Sequence, residues 1–310
     1  AFDELGGAEA ARYTSLKDLA AVRVLNRVDA PGIATLVCCV VDYRGQRVVC
    51  QAPVPGIFQG DDNKVAYGVS VAKDSVGEDE QFSEALKPVA ERLHLKAHSV
   101  QLDENVKSEG SLLVSKDSKG IRGSDGRQYL IDLYHSTPLD IEFAEKNWDG
   151  SETSYPHKET VMRHEAVEEW WKRKVSVLIK AETDRLDRET GTTESADGEK
   201  PRVVLPSDLV VVNPDAFANV GETDDEKSEV RELSRFITQQ LVPEFLSEIA
   251  TQISPFDGAH LARSLHNVGI NMRYLGHVVE AANQMIVEHK ATVEKKISGN
   301  LAAAEKAKAE

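Results

Sequence analysis

Long apolar runs are missing from this 310-residue chain. No stretch approaches the ~18 consecutive apolar residues of a membrane-crossing helix, so no span is expected. The first residues do not read as a secretory leader, because Asp3, Glu4 and Glu9 interrupt them. Cysteine is scarce: Cys38, Cys39 and Cys50 are the only three. Their odd number and close clustering make neither a disulfide framework nor a zinc-ligand spacing. The expectation is three small buried hydrophobes in a reducing compartment. Aromatics make up only 6%, so a core drawn from the 41% hydrophobic content is mostly aliphatic. Basic residues are outnumbered 37 to 52, for a net charge of −15 and a pI near 5.1. Phosphate neutralisation drives nucleic-acid affinity, so this balance argues against strong non-specific binding while leaving room for a local basic patch.

Catalytic signatures are missing as well. His164-Glu165 starts a His-Glu-x-x-His pattern, but Glu168 stands where the second histidine belongs. There is no Gly-x-Ser-x-Gly elbow and no Gly-x-x-x-x-Gly-Lys phosphate loop. His94 and His98 can share a helix face, yet no further ligand accompanies them, so no metal is expected. His94-Leu95-Lys96 upstream of Tyr129-Leu130-Ile131-Asp132 loosely echoes a kinase catalytic loop followed by a metal-binding aspartate. The glycine-rich loop, the early-strand lysine and the Asp-x-x-x-x-Asn loop are all lacking. No cofactor is implied, and an inactive kinase-like scaffold is the most that this echo supports.

What is present centres on residues 119–140, KGIRGSDGRQYLIDLYHSTPLD. Ser124-Asp125-Gly126 is a tight turn: aspartate bonds its own backbone and glycine supplies positive φ. The chain then alternates as a strand, with Leu130, Asp132 and Tyr134 on one face and Tyr129, Ile131 and Leu133 on the other. Asp132 is therefore expected among large apolar neighbours, where a carboxylate needs a partner. His135, Ser136 and Thr137 add a polar cluster before Pro138. Such a corner is either a site or a structural network.

The same stretch resembles the Clu domain of the clustered mitochondria (Clueless) family. The resemblance lies in Lys119-Gly120, the turn from Gly123 to Arg127, the strand from Tyr129 to Leu133 and the exit from Thr137 to Asp140. Asp42-Tyr43-Arg44-Gly45 is similar to the family's early hairpin, and Gly269-Ile270-Asn271-Met272-Arg273-Tyr274-Leu275-Gly276 to its late block. His135-Ser136 departs from the family's Arg-Thr, which puts an anion-binding role for this corner in doubt. The resemblance implies a cytosolic protein that controls mitochondrial distribution, possesses mRNA-binding activity and associates with the ribosome or translation initiation factor three. It also implies a place near the mitochondrial outer surface and further domains in a longer chain, consistent with an opening on Ala1 rather than Met.

Taken in order, the chain predicts an α+β protein: a β-hairpin-rich half over 1–150, a mainly helical half over 151–300 and a charged tail over 301–310. A short helix is expected after Gly7, extended chain over 25–29, one buried strand over 33–41, and a helix over 79–94 kinked or delayed by Pro88. Residues 139–155 read as loop. Helices are expected over 157–188, 224–251 (divided at Pro243), 259–267 and 272–297, with a flexible loop near 190–200. Gly269 is expected at positive φ after a helix, and Asn271 as the next helix's cap.

Two groups of residues stand out. Tyr43, Arg44 and Arg47 on one hairpin and Arg122, Arg127 and Tyr129 on another make a candidate RNA patch with aromatics for stacking. Equally, those arginines can pair with the many acids. Arg273 at a helix start calls for a carboxylate partner, with Asp132 and Asp140 as candidates and Asn271 beside it. The function expected from these readings is a non-enzymatic binding module, with a scaffold that positions neighbouring domains as the alternative.

Overall fold

The computed structural model describes residues 7–59, 65–70, 75–100, 110–148, 150, 160–190, 203–206, 208–218, 223–251 and 255–309. The flexible loop expected near 190–200 falls outside them apart from Thr190. The described chain divides into two compact units, 1–234 and 235–310. Strands lie in the first half and helices dominate the second, as an α+β protein requires.

The first unit opens with a long helix, α1 (Gly7–Val28), not a short one. Residues 25–28 are helical rather than extended: Ala21, Val22 and Leu25 form its buried stripe, and that burial carries the helix past weak local propensity. The expected single strand over 33–41 is two pieces, β1 (Ile33–Ala34) and β2 (Cys38–Tyr43). β2 and β3 (Gln46–Gln51) form a separate ribbon closed by Arg44 and Gly45, both at positive φ, the geometry of a two-residue hairpin turn. Its residues are almost all exposed, Cys39 and Cys50 among them, and Cys38 is half-buried. The expectation of three buried thiols is thus corrected: most of the ribbon is exposed on both faces, and Cys38 at its base is half-buried.

β4 (Val65–Ser70), β5 (Ser75–Glu78), β8 (Lys119–Arg122) and β9 (Gln128–Ile131) join β1 in a five-stranded sheet, order β1-β9-β8-β4-β5, parallel only between β1 and β9. β6 (His98–Val100) and β7 (Gly110–Leu112) make a second small pair. Against the large sheet lies α2 (Glu80–Leu93), which buries Phe82, Leu86, Val89, Ala90 and Leu93. Asp79 caps it by accepting from the Phe82 N–H at 3.0 Å. Pro88 is tolerated within the helix, and His94 ends it in the left-handed conformation. Phe82 packs on Tyr67, and a side chain at position 120 would collide with the Phe82 ring and the Tyr67 Cβ, so Gly120 lets helix and sheet approach.

Within 139–155, expected as loop, lies a short helix, α3 (Ile141–Asn147), entered through buried Asp140. α4 (His164–Thr190) buries Ala166, Val167 and Trp170. α5 (Asp224–Phe236) starts with a capping box: the Glu226 N–H donates to Thr223 Oγ1, and the Thr223 N–H to the Glu226 carboxylate.

The second unit holds a π-helical stretch, Ile237–Leu241, then α6 (Val242–Thr251), α7 (Gly258–Asn267) and α8 (Leu275–Ala309). Pro243 lacks an N–H, and the turn before it widens so that the Val242 N–H reaches the Ile237 carbonyl. Gly269 has φ +92°, as expected after a helix. Asn271 precedes a 3₁₀ turn, Met272–Tyr274, without capping it through its side chain. The backbone of α8 continues through the segment expected as a tail.

Candidate functional site

The tight turn at Ser124-Asp125-Gly126 forms as its sequence dictates. Gly126 has φ +79°, its N–H donates to the Gly123 carbonyl, and Asp125 accepts from the Arg127 N–H and the Tyr129 hydroxyl. Tyr129 is consequently buried, part of a small core with Leu36, Val54 and Ile121, and its ring is not a stacking platform.

Asp132 departs from the strand reading. β9 ends at Ile131, and Asp132 turns left-handed at φ +57° before a 3₁₀ turn over Leu133–His135. Its carboxylate is therefore half-exposed and accepts from Lys119 Nζ at 2.8 Å, rather than lying among apolar side chains. An exposed pair of this kind contributes little; the left-handed backbone costs an alanine more than it costs an aspartate. Asp132→Ala should lower stability by about 1 kcal/mol. Asp132→Gly, which loses the pair but relieves the backbone, should cost less. Urea unfolding of both variants checks this, and an Asp132→Gly variant that loses as much as Asp132→Ala would show that the ion pair, and not the backbone, carries the effect.

Asp140 and Arg273 each have partners close at hand. Asp140 is fully buried, accepts from Ser234 Oγ at 2.6 Å, and donates its N–H to the Thr160 carbonyl. Arg273 keeps company with its neighbours. Its guanidinium lies over the Tyr274 ring, and with the Asn271 amide turned, that oxygen accepts at 2.9 and 3.2 Å. Asp132 accepts from Lys119, and Asp140 from Ser234.

The arginines fall into two places. Arg122 donates to both oxygens of Asp79 at 2.7 Å and to Gln81 at 3.0 Å. Partial burial opposes ionisation of Asp79, but Arg122 and the Phe82 N–H outweigh it and hold its carboxyl below the usual range. Arg127 lies 3.8 Å from Asp125. Arg47 forms a paired contact with Asp42, both bonds 2.7 Å, at the far end of the ribbon. Beside it Arg44 lies over the exposed Tyr43 ring. Six-residue strands set that end about 17 Å from the ribbon's base at Cys38. The tip therefore offers Tyr43 and Arg44, while Arg122 and Arg127 stay near α2. Between α2 and the ends of β1 and β9 runs a groove of about 940 Å³, lined by Gly32, Ala34, Glu80, Glu84, Arg127 and Gln128.

Two features were not visible in the sequence. Asp215, wholly buried, accepts from Ser115 Oγ and the Lys116 N–H at 2.7 Å, and bonds His98 Nε2 at 2.7 Å. Serine bonds the aspartate rather than the histidine, and everything is enclosed, so this is a structural network and not a nucleophilic triad. Its members come from chain segments about a hundred residues apart, which no local pattern reports. His94 stacks on Trp171 at 4.1 Å and bonds Glu168. Among the described residues no group of three or more His, Cys, Asp or Glu is placed to hold a metal, and no helix is long and apolar enough to cross a membrane.

His135-Ser136, the departure from the resembled pattern, is occupied internally. His135 Nδ1 lies 2.9 Å from Asp117, and Ser136 Oγ 3.0 Å from His164 Nε2. Packing around His164 pushes its pKa down to about 4. A histidine held neutral in the fold but free to charge near pH 6.5 when unfolded stabilises fully above 6.5, and that contribution drains away as pH falls toward 4. Wild type should lose about 2 kcal/mol more than His164→Gln between pH 7 and 4, allowing for the ring's partial exposure. Parallel pH slopes in denaturant unfolding would remove His164 as the cause.

Residues 1–143 match the family described as "Clustered mitochondria". The chain is 60% identical over 299 residues to a clustered mitochondria protein homolog of Debaryomyces hansenii, covering 93% of this chain and 22% of the relative. The chain belongs to the clustered mitochondria family. Homologs from Meyerozyma guilliermondii and Candida albicans are 50% and 46% identical, covering 97% and 98% of this chain and 24% and 25% of theirs. The chain thus spans about a quarter of the length of these relatives. Residues 252–305 match a second family, "Translation initiation factor eIF3 subunit 135". No solved structure matches. In family terms, the glycine–aspartate–glycine turn and β9 lie within the first match, and α7 with most of α8 within the second.

Proposed function

We propose that this part of a clustered mitochondria protein is a non-enzymatic binding module acting in a translation-linked assembly, in the cytoplasm and near the mitochondrial outer surface. The observation that carries the reading is the match of residues 252–305 to an initiation-factor subunit, because it falls on α8. Val279, Ile286, Val293 and Ile297 are all exposed there, spaced by seven, seven and four residues, the spacing of a seam for another helix. The partner on this reading is a helical protein surface, with translation initiation factor three or the ribosome as its source. A pull-down of purified initiation factor three by the chain should succeed, and the double variant Ile286→Glu, Val293→Glu should abolish it while circular dichroism stays unchanged. A folded double variant that still binds would remove α8 from the contact.

A second reading, mRNA binding, is favoured by the exposed Tyr43 and Arg44 at the ribbon tip. Screening confines the repulsion from the net charge of −15 to about 8 Å at physiological ionic strength, so a local contact can form. Arg44→Glu should lower the salt slope for single-stranded RNA by roughly 0.7 in a gel-shift series. Arg127→Glu should matter less, since Arg127 stands beside Asp125 near the base of the ribbon. Against a kinase-like activity, the Asp132 carboxylate is engaged by Lys119. Addition of a nucleotide with magnesium is expected to leave the melting temperature unmoved.

A further inference from the structure

Cys39 and Cys50 face each other directly across the β2–β3 ribbon, and both are exposed. Residues in register on an antiparallel pair project to the same face. The Ala52 N–H donates to the Val37 carbonyl, and pairing alternates along the ribbon, so Cys39 and Cys50 occupy a hydrogen-bonded position. Cα atoms there lie about 5.5 Å apart, inside the span that a disulfide bridges. Cys38 is excluded on geometry. It is next to Cys39 but on the opposite face, set against Gln51, and half-buried at the ribbon's base beside Leu36 and Tyr129. Its thiol Sγ lies 3.3 Å from the Leu36 carbonyl, as a donor to it. Burial, with Asp18 nearby, raises the pKa of Cys38 and keeps it the poorer nucleophile.

We propose that Cys39 and Cys50 are a reversible dithiol–disulfide pair, a modification site for low-molecular-weight disulfides of the glutathione class. One thiolate attacks a sulfur of glutathione disulfide, forming a mixed disulfide and releasing one glutathione thiolate. The second cysteine thiolate then attacks the protein-side sulfur of that mixed disulfide. The Cys39–Cys50 bond forms, the second glutathione thiolate leaves, and the two protons from the protein thiols end on the two glutathiones. The protein loses two electrons and glutathione disulfide gains them. Both sulfurs sit in solvent, so the reverse attack by glutathione is equally accessible, and the state of the pair follows the surrounding thiol pool. The bond crosslinks the ribbon below Val41, Tyr43 and Val48, the exposed residues on the same face toward the tip.

The test is incubation of the native chain with glutathione disulfide, alkylation of the remaining thiols, and peptide mapping by mass spectrometry. The expected product has lost two hydrogens, carries a Cys39–Cys50 peptide crosslink and leaves only Cys38 alkylated. Excess reduced glutathione should restore all three thiols. Cys38→Ser should react like wild type, whereas Cys39→Ser and Cys50→Ser should each stop at the stable glutathione adduct. Cys39 and Cys50 are exposed and Cys38 is half-buried, and circular dichroism checks that all three variants remain folded. A wild-type protein that accumulates glutathione adducts without the crosslink, that crosslinks through Cys38, or that does not react at all would overturn the assignment.

Discussion

Asp215→Ala is expected to destabilise the chain by about 3–5 kcal/mol, the scale of removing one member of a buried charged network. The Asp215 carboxylate is completely enclosed and accepts from Ser115, the Lys116 N–H and the His98 ring, while its own N–H donates to Asn213. His98 is fastened at its other nitrogen to the Lys96 carbonyl, 3.1 Å away. Removing the carboxylate strands a hydroxyl, a backbone N–H and an imidazole where water does not reach. Burial by itself would raise the pKa of Asp215, but the His98 bond, the field of His135 and the Ser115 hydroxyl reverse that and hold it low. Because the folded value lies below the unfolded one, the network stabilises above pH ~4 and weakens only at more acid pH. Urea unfolding of Asp215→Ala and Asp215→Asn measures the effect. Asn keeps the shape and one acceptor, so a smaller loss is expected. An alanine variant that unfolds at the wild-type midpoint would show that the network contributes nothing net.

The second large effect is expected at Gly68→Ala, on the order of 3 kcal/mol from backbone conformation and overpacking together. Gly68 lies in β4 at φ +96°, and a Cβ there would stand 2.3 Å from the carbonyl oxygen of Ser118, the residue that leads into β8. That atom is backbone at the entry to β8, so the clash is relieved only by moving one of the two segments. Gly45, in the ribbon turn at φ +79° with open space around it, makes the control. Gly45→Ala meets the conformational penalty without the collision and should cost about 1 kcal/mol. Thermal melts of both variants decide the matter. Equal losses would mean that β4 shifts freely and that only the positive φ is felt.

Local features were legible wherever the decisive forces act over a few residues. Asp125-Gly126 makes its turn because aspartate bonds the backbone two residues on and glycine accepts positive φ. The apolar spacing of Phe82, Leu86, Val89 and Leu93 is the face α2 buries. Pro243 perturbs its helix for the reason a missing N–H dictates, although the outcome is a π-helical widening. The family was also readable, since ordered blocks of residues survive where whole-chain composition says little.

Other features depend on which segments meet, and no window of sequence holds that information. The apolar β2 run reads as buried, yet beyond its base the ribbon stands in solvent, and Val40, Val41, Cys39 and Cys50 are exposed. Asp132 reads as the inward member of an alternating strand, but β9 ends one residue earlier, and a left-handed turn swings the carboxylate to Lys119. Arginines on two hairpins read as one basic patch, whereas Asp42 pairs with Arg47 and Asp79 with Arg122. Charge pairing, strand ends and exposure are set by contacts across scores of residues. Asp215, which joins Ser115, His98 and Lys116 in one enclosed network, is where that dependence is greatest: each residue is ordinary in its own neighbourhood, and only the packed fold puts one carboxylate within bonding distance of all three.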